Sequence, residues 1–358
     1  MLSFRTAVLL VAVGMLSPAL RAQTKIAFVG LVHSHCWTQL RNVGTIDGVE
    51  LVGIAESEPE LVAEAKKLVP DAEFFNTYQE LIEKKKPEIV WAFVENNRHL
   101  EIAEYLAPRN VHMIFEKPLA STLADANKIR ELATKHNVHV MTNYQMAWWP
   151  TNQEIKRQAE AGTVGDVLRL RGIVGHGGPG SEGARSKFFF DWLTDPVKNG
   201  AGALVDFGCY NALWSVWIKG RPETVYARVD HLQPDKFPKV EDNSVLVLGY
   251  RDGVGLFEGS WDLPSSFQDL EIFGREGSLY MTRRALELRK GRGEPKEVEP
   301  AALSPEESDP IRYMVSRVKS GKPPDNIVGL DINVDVVEIL EAAKQSVATG
   351  REVKLPAR

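Results

Sequence analysis

From Lys25 onward, short apolar runs alternate with segments whose apolar positions recur every three or four residues. "KIAFVG" (25–30), "VELVGIAE" (49–56), "EIVWAFV" (88–94), "VHMIFE" (111–116) and "VHVMTN" (138–143) read as buried strands. Between them, "WTQLRNV" (37–43), "SEPELVAEAKKL" (57–68), "HLEIAEYLA" (99–107) and "TLADANKIRELATKH" (122–136) read as helices. The second of these opens with Ser57 and Glu60 at capping-box spacing. Such alternation predicts an α/β fold with a doubly wound parallel sheet. After about Asn143 the pattern changes to longer strands: "GDVLRLRGIVGH", "ETVYARVDHL", "DNSVLVLGYRDGVGLFEGSW" and "DLEIFGREGSLYM". "YRDG" between two alternating runs reads as a hairpin, so a second α/β domain with a mainly antiparallel sheet is expected. A glycine- and aromatic-rich stretch, 175–210, interrupts it and reads as a long irregular segment of functional kind. A final helix, "NVDVVEILEAAKQSVATG", leads to a short tail strand, "REVKLP".

Composition narrows the setting. The 358 residues are 44% hydrophobic and 25% charged, ordinary globular values for a chain of about two domains. A net charge of −5 and a pI near 6.0 supply no basic field, which excludes nucleic acid as a partner class. "MLSFR" followed by "TAVLLVAVGMLSPAL" and a small residue at Ala22 has the order of a signal peptide. A membrane span is the weaker reading, because Pro18 interrupts a run shorter than a bilayer needs. The expected divisions are therefore a leader at 1–22, a first domain at 25–145 and a second at 146–358, with a periplasmic or secreted location and no membrane association after cleavage. Cys36 and Cys209 lie far apart in sequence and are expected as two unpaired, buried thiols.

The first strand runs into "GLVHSHCW" (30–37), where a Rossmann loop carries three glycines for the tight turn, the approach of the pyrophosphate and the packing of the helix. Gly30 keeps the first role, while Val32 and His35 occupy the other two positions. The context is still that of a dinucleotide site, since the stretch follows a strand, opens a helix, and has Glu56 closing the second strand. A carboxylate there accepts both hydroxyls of an adenosine ribose and repels a 2′-phosphate, favouring NAD over NADP; a solvated strand-end acid is the plain alternative. His33, His35 and Cys36 also raise a metal reading. With no C-x-x-C or H-x-x-x-H partner in the chain, no metal is expected. The imidazoles are expected to cap the following helix or to donate to phosphate.

"FEKPLA" (115–120) is the most informative short motif. With the altered loop, "ENNRH" (95–99) and "GAGALVDFGCY" (200–210), it resembles the Gfo/Idh/MocA family of sugar and cyclitol oxidoreductases, along nearly the whole chain after the leader. The resemblance implies a Rossmann domain followed by an α/β domain whose open sheet mediates homo-oligomers. It places Asn96, His99, Glu116 and Lys117 beside the cofactor, with Lys117 reaching both the nicotinamide ribose and a substrate hydroxyl. Asp206 matches the aspartate of the family's D-x-G-x-H segment, whose histidine is Tyr210 here, as in the glucose–fructose oxidoreductase branch.

The residue types suit that chemistry. Hydride leaves a carbinol carbon only as the hydroxyl proton leaves, and a lysine beside a positive nicotinamide is expected to have a lowered pKa. Asp206 and Tyr210, four residues apart, are expected to share a helix face, with Asp206 orienting and Tyr210 relaying the proton. Taken singly, the three read equally as a surface lysine, a helix-start acid and a core aromatic. Tyr144, Trp148 and His176 are candidate substrate contacts, and "FFFDW" (188–192) a lid or an oligomer contact. The expected function is an exported NAD-dependent oxidoreductase acting on a carbohydrate or polyol with a tightly held cofactor. A redox-assisted glycosidase and a non-catalytic carbohydrate-binding protein are the alternatives.

Overall fold

The computed structural model describes residues 23–357, so the expected leader lies outside the described residues. Six strands form the first sheet: β1 (Thr24–Val29), β2 (Val49–Ala55), β3 (Phe74–Phe75), β4 (Ile89–Ala92), β5 (His112–Glu116) and β6 (Val140–Asn143). Their order is β3-β2-β1-β4-β5-β6, every pair parallel. The order reverses between β1 and β4, and such a reversal opens a crevice at the carboxyl ends of the strands. Gly30, Glu56, Val94 and Glu116 all stand at that edge. Both faces of the sheet are covered, which is why β4 and β6 are buried at every position.

The second sheet has nine strands. They are β7 (Val167–Gly175), β8 (Thr224–Asp230), β9 (Asn243–Tyr250), β10 (Gly253–Ser260), β11 (Phe267–Gly274), β12 (Ser278–Met281), β13 (Leu286–Arg289), β14 (Lys296–Glu297) and β15 (Val353–Lys354). The order is β14-β13-β12-β11-β7-β10-β9-β8-β15, antiparallel except for β7 beside β10. The expected hairpin forms at Arg251-Asp252, with Tyr250 opposite Gly253. The helix Leu330–Thr349 ties the halves together, since Val334 and Val337 sit in a core of the first sheet while Ile339 and Leu340 join the core beneath the second.

Three local expectations change. The capping box at Ser57 and Glu60 does not form; the helix begins at Pro59, because the Glu56 carboxylate takes the Ser57 and Glu58 amides instead. The glycine-rich stretch is not irregular throughout. It contains the helix Gly183–Leu193, ordered by burial of Trp192 and Leu193. Asp206 and Tyr210 do not lie on one helix: Asp206 ends Ala203–Asp206, and Tyr210 falls in the first turn of Gly208–Lys219, with Phe207 at the junction. Both cysteines are unpaired and buried.

Candidate active site

Lys117 follows β5 and reaches across the domain boundary to Asp206, 89 residues on. Its ammonium contacts Oδ1 of Asp206 and donates to the backbone carbonyl of the same residue at 3.1 Å. The Lys117–Pro118 peptide is cis. Both side chains are buried, and the other carboxylate oxygen accepts the indole N–H of Trp261 at 2.8 Å. Burial works against the ammonium, but Asp206, with Tyr210 and Cys209, raises the pKa of Lys117 well above its usual value. Burial likewise opposes the Asp206 carboxylate, and Lys117 and Trp261 more than offset it, holding its pKa below the ordinary range. The expected depressed lysine is therefore not what the protein itself produces. Two opposite charges in contact within a low-dielectric site favour both charged forms.

The segment carrying Asp206 is held from below. Glu241 accepts the amides of Gly202 and Leu204 at 2.8 and 3.0 Å. Gly202 lies so close to that strand end that a Cβ would come within 1.9 Å of the Glu241 carbonyl oxygen. Tyr210 presents its ring to Lys117, 5.1 Å from the ammonium. Burial raises the pKa of its phenol, keeping it protonated.

His176 lies on the same side, edge-on to Phe207 at 5.0 Å, its Nδ1 accepting the Gly178 amide at 3.0 Å. Burial lowers its pKa while Asp206 pulls it up. Tyr144, expected to touch substrate, is instead fully buried behind Tyr210, with the rings perpendicular at 5.2 Å. Trp148 turns its indole N–H onto Asn143 at 3.0 Å and lines a separate cleft with Tyr313 and Arg317. These two residues support the site from outside it. Trp261 is a partner of Asp206 that no motif marks, since it follows β10 in an ordinary strand pattern.

On the other side of β1, Gly30, Val32 and Glu56 line a cleft of about 470 Å³ together with Thr77, Glu95, Arg98 and Glu101. Gly30 has φ +76°, and a Cβ there would meet Val94 at 2.6 Å, so its first-glycine role holds. Glu56 accepts the Leu31 amide at 2.8 Å besides those of Ser57 and Glu58. Burial raises its pKa against those three bonds. An ionised carboxylate has about four acceptor positions, so the group still has capacity for a ribose hydroxyl. The cleft's volume, the close backbone approach at Gly30 and this carboxylate fit the adenosine half of a dinucleotide.

Asn96 and His99 are placed differently from expectation. Asn96 donates to Asn199 Oδ1 at 2.8 Å and to its carbonyl, so it fastens the loop before Asp206 to the first domain, with its own Oδ1 unpartnered among the described residues. His99 stacks on Phe115 and places Nδ1 3.0 Å from the Leu119 carbonyl, which steadies the loop carrying Lys117. His35 does not cap the helix Cys36–Asn42; its Nδ1 lies 2.8 Å from Glu116 Oε2. The other Glu116 oxygen accepts the Asn143 amide at 3.0 Å. His33 is buried against Phe189 and Trp192, and Trp192 donates to the Val32 carbonyl at 3.1 Å. "FFFDW" thus closes over the nucleotide loop of the same chain.

Burial lowers the pKa of His99 from 6.5 to about 4, so the native site takes up its proton later than the unfolded chain does as pH falls. Stability is expected to be complete above about pH 6.5 and to drop toward pH 4, by up to roughly 3 kcal/mol for this residue. Melting temperatures across that range, for wild type and His99→Gln, check this; equal acid sensitivity in the two proteins would contradict it.

A doubly wound domain with a dinucleotide cleft, joined to an open-sheet domain that contributes half of a buried ion pair at the crevice, defines a two-domain pyridine-nucleotide oxidoreductase. Residues 24–144 match the model of an oxidoreductase family with an NAD-binding Rossmann fold, and residues 152–280 match the GFO/IDH/MocA C-terminal domain. The chain belongs to the Gfo/Idh/MocA family. Myo-inositol 2-dehydrogenase of Thermotoga maritima is 24% identical over 339 residues, 91% of this chain and 96% of that enzyme. Levoglucosan dehydrogenase of Pseudarthrobacter phenanthrenivorans is 26% identical over 260 residues, and the match spans 63% of each chain. Among solved structures, the aldose-aldose oxidoreductase from Caulobacter crescentus, complexed with glycerol, superposes with a TM-score of 0.80 at 20% identity, covering 93% of this chain and 100% of that one.

Proposed function

We propose that the chain is an exported, NAD-dependent oxidoreductase that transfers hydride between a carbohydrate or polyol hydroxyl and a tightly held nicotinamide cofactor. The observation that carries this reading is the buried Lys117–Asp206 pair, with Tyr210 and His176 around it, at the crevice edge of a dinucleotide-binding sheet. The relatives' names point to the same substrate class, inositol and levoglucosan. A bound nicotinamide supplies the hydride acceptor; Glu56, Gly30 and Val32 would hold its adenosine half. The chain supplies the proton chemistry. Lys117 and Asp206 stand in direct contact as an ion pair and titrate as a unit. Once the ammonium has given up its proton, Lys117 offers a neutral amine to take the proton of a substrate hydroxyl. Trp261, donating to Oδ2, keeps the carboxylate oriented throughout.

Selectivity for NAD is supported by the carboxylates of Glu56 and Glu58 in the cleft, which oppose a 2′-phosphate, whereas Glu95 and Glu101 are paired with Arg98. Glu56→Gln keeps an acceptor for the backbone amides and loses the charge. It is expected to weaken NAD binding by one to two orders of magnitude, a loss of about 1.5–3 kcal/mol per charged hydrogen bond, and to narrow the preference over NADP. Calorimetric titration with both cofactors decides, and equal affinities in the wild type would refute the assignment.

Tight retention is supported by Trp192 and Phe189 closing on the loop, reinforced by Arg185 bonded to Glu64 and stacked on Trp37. Export rests on residues 1–22 and predicts a secreted chain that begins at Gln23 or close by on N-terminal sequencing; a full-length cytoplasmic product would remove it. Homo-oligomer formation is supported by one cross-strand row on the second sheet, Tyr226–Val247–Leu256–Arg171–Glu271–Tyr280, in which Tyr226, Leu256 and Tyr280 are exposed.

A further inference from the structure

The turn after β1 and the end of β5 bring together a set of side chains that the proton chemistry above leaves unused. His33, His35 and Glu116 each offer a ligand atom, and these atoms lie within 4.8 Å of one another. His33 is 1% exposed, and its Nε2 has no hydrogen-bond partner among the described residues. An unsatisfied buried nitrogen is costly, so its position implies a partner from outside the chain. We propose that these three side chains bind a divalent transition cation of the zinc class.

The donor set suits that class. Two imidazoles and one carboxylate hold zinc or ferrous iron with positions left open for an oxygen ligand. The carboxylate is already oriented, because Asn143 holds Glu116 Oε1 at 3.0 Å and is itself held by the Trp148 indole, leaving Oε2 toward His35. Outer contacts of this kind are what fix metal-binding carboxylates in place. The ammonium of the adjoining residue, Lys117, is paired with Asp206 and so does not cancel the charge of Glu116.

Two contacts are given up on binding. One is His35 Nδ1 to Glu116. The other, for ligation through His33 Nε2, is the 3.3 Å bond from the His35 amide to His33 Nδ1, since the ring proton then moves to that nitrogen. Both losses are small beside the coordination of a divalent cation. Sequence spacing alone argues against a metal here because the chain lacks a second ligand cluster. The fold supplies the missing donor from Glu116, 81 residues beyond His35.

The test uses tag-free full-length protein, stripped with chelator and titrated with zinc sulfate and with cobalt chloride at neutral pH. Metal content and visible absorption are the readouts, so the outcome does not depend on the oxidoreductase reading. One equivalent of zinc per chain is expected, with a cobalt spectrum of nitrogen and oxygen ligation. His33→Ala and His35→Ala should each weaken binding by more than about a hundredfold, and Asn143→Ala, a positioning change, by about ten- to a hundredfold. Circular dichroism verifies that the variants fold; should either alanine variant not fold, the wild-type cobalt spectrum decides. A wild type that binds no stoichiometric zinc, gives no cobalt ligand-field band, or binds as well after both histidine substitutions would overturn the proposal.

Discussion

Lys117→Met is expected to slow the hydride step by roughly two to four orders of magnitude, the usual contribution of a positioned acid–base group. Methionine keeps the length of the side chain and removes the ammonium that contacts Asp206 and lies 5.1 Å from the Tyr210 ring. The substitution is not silent for stability, because it leaves the Asp206 carboxylate buried with Trp261 as its remaining side-chain partner. Removing one member of a buried pair costs about 3–5 kcal/mol, so a lowered melting temperature accompanies the loss of rate. Tyr210→Phe removes one hydroxyl. A small rate effect there is expected if tyrosine only relays, and non-additivity with Lys117→Met would show that the two act as one unit.

Asp206→Asn carries the second large effect, and it separates position from charge. The amide keeps the shape of the side chain and removes the charge that holds the pKa of Lys117 up. Burial then acts on the lysine with its main opponent gone, and its pKa falls. The sign follows directly. Oxidation of a hydroxyl needs neutral Lys117, so in the wild type the rate climbs toward high pH, and in Asp206→Asn the rising limb moves to lower pH. The same change breaks the buried pair, with an expected stability loss of about 3–5 kcal/mol. Rate against pH, measured with the same substrate and cofactor for both proteins, is the check. An unmoved limb would show that Lys117 is not the group being titrated.

Much of this architecture is legible in the chain because it rests on local signals. Strands such as "EIVWAFV" and helices such as "TLADANKIRELATKH" carry their own periodicity, and the latter also carries its cap, Thr122, which accepts the Asp125 amide. Lys117, Asp206 and Tyr210 were approachable through motif order, and they do converge. What the sequence hides depends on packing between distant segments. Trp261 meets Asp206 only because β10 runs beside β7 under the helices of the second domain. The break at Phe207 cannot be read from an i, i+4 spacing that an unbroken helix would also satisfy.

Asn96 illustrates the same limit. Its motif position suggested cofactor contact, whereas its amide is taken by Asn199, 103 residues away. The helix within the glycine-rich stretch was equally invisible, since "FFFDWL" becomes helical by burying Trp192 against the nucleotide loop rather than by any strong intrinsic preference. Glu56 combines both lessons. Its place at the strand end was legible, but its three bonds to backbone amides belong to the turn geometry.

The central claim is that this chain moves hydride from a carbohydrate or polyol hydroxyl through the Lys117–Asp206 pair. Single-turnover absorbance in the reduced-nicotinamide band tests it most directly, with the NAD-loaded protein mixed against a panel of polyols, aldoses and glycosides. The account predicts that the band appears with at least one member of the panel and forms at least about a hundredfold more slowly in folded Lys117→Met. No reduction of NAD or NADP by any member, or formation of the band by Lys117→Met at the wild-type rate, would contradict it.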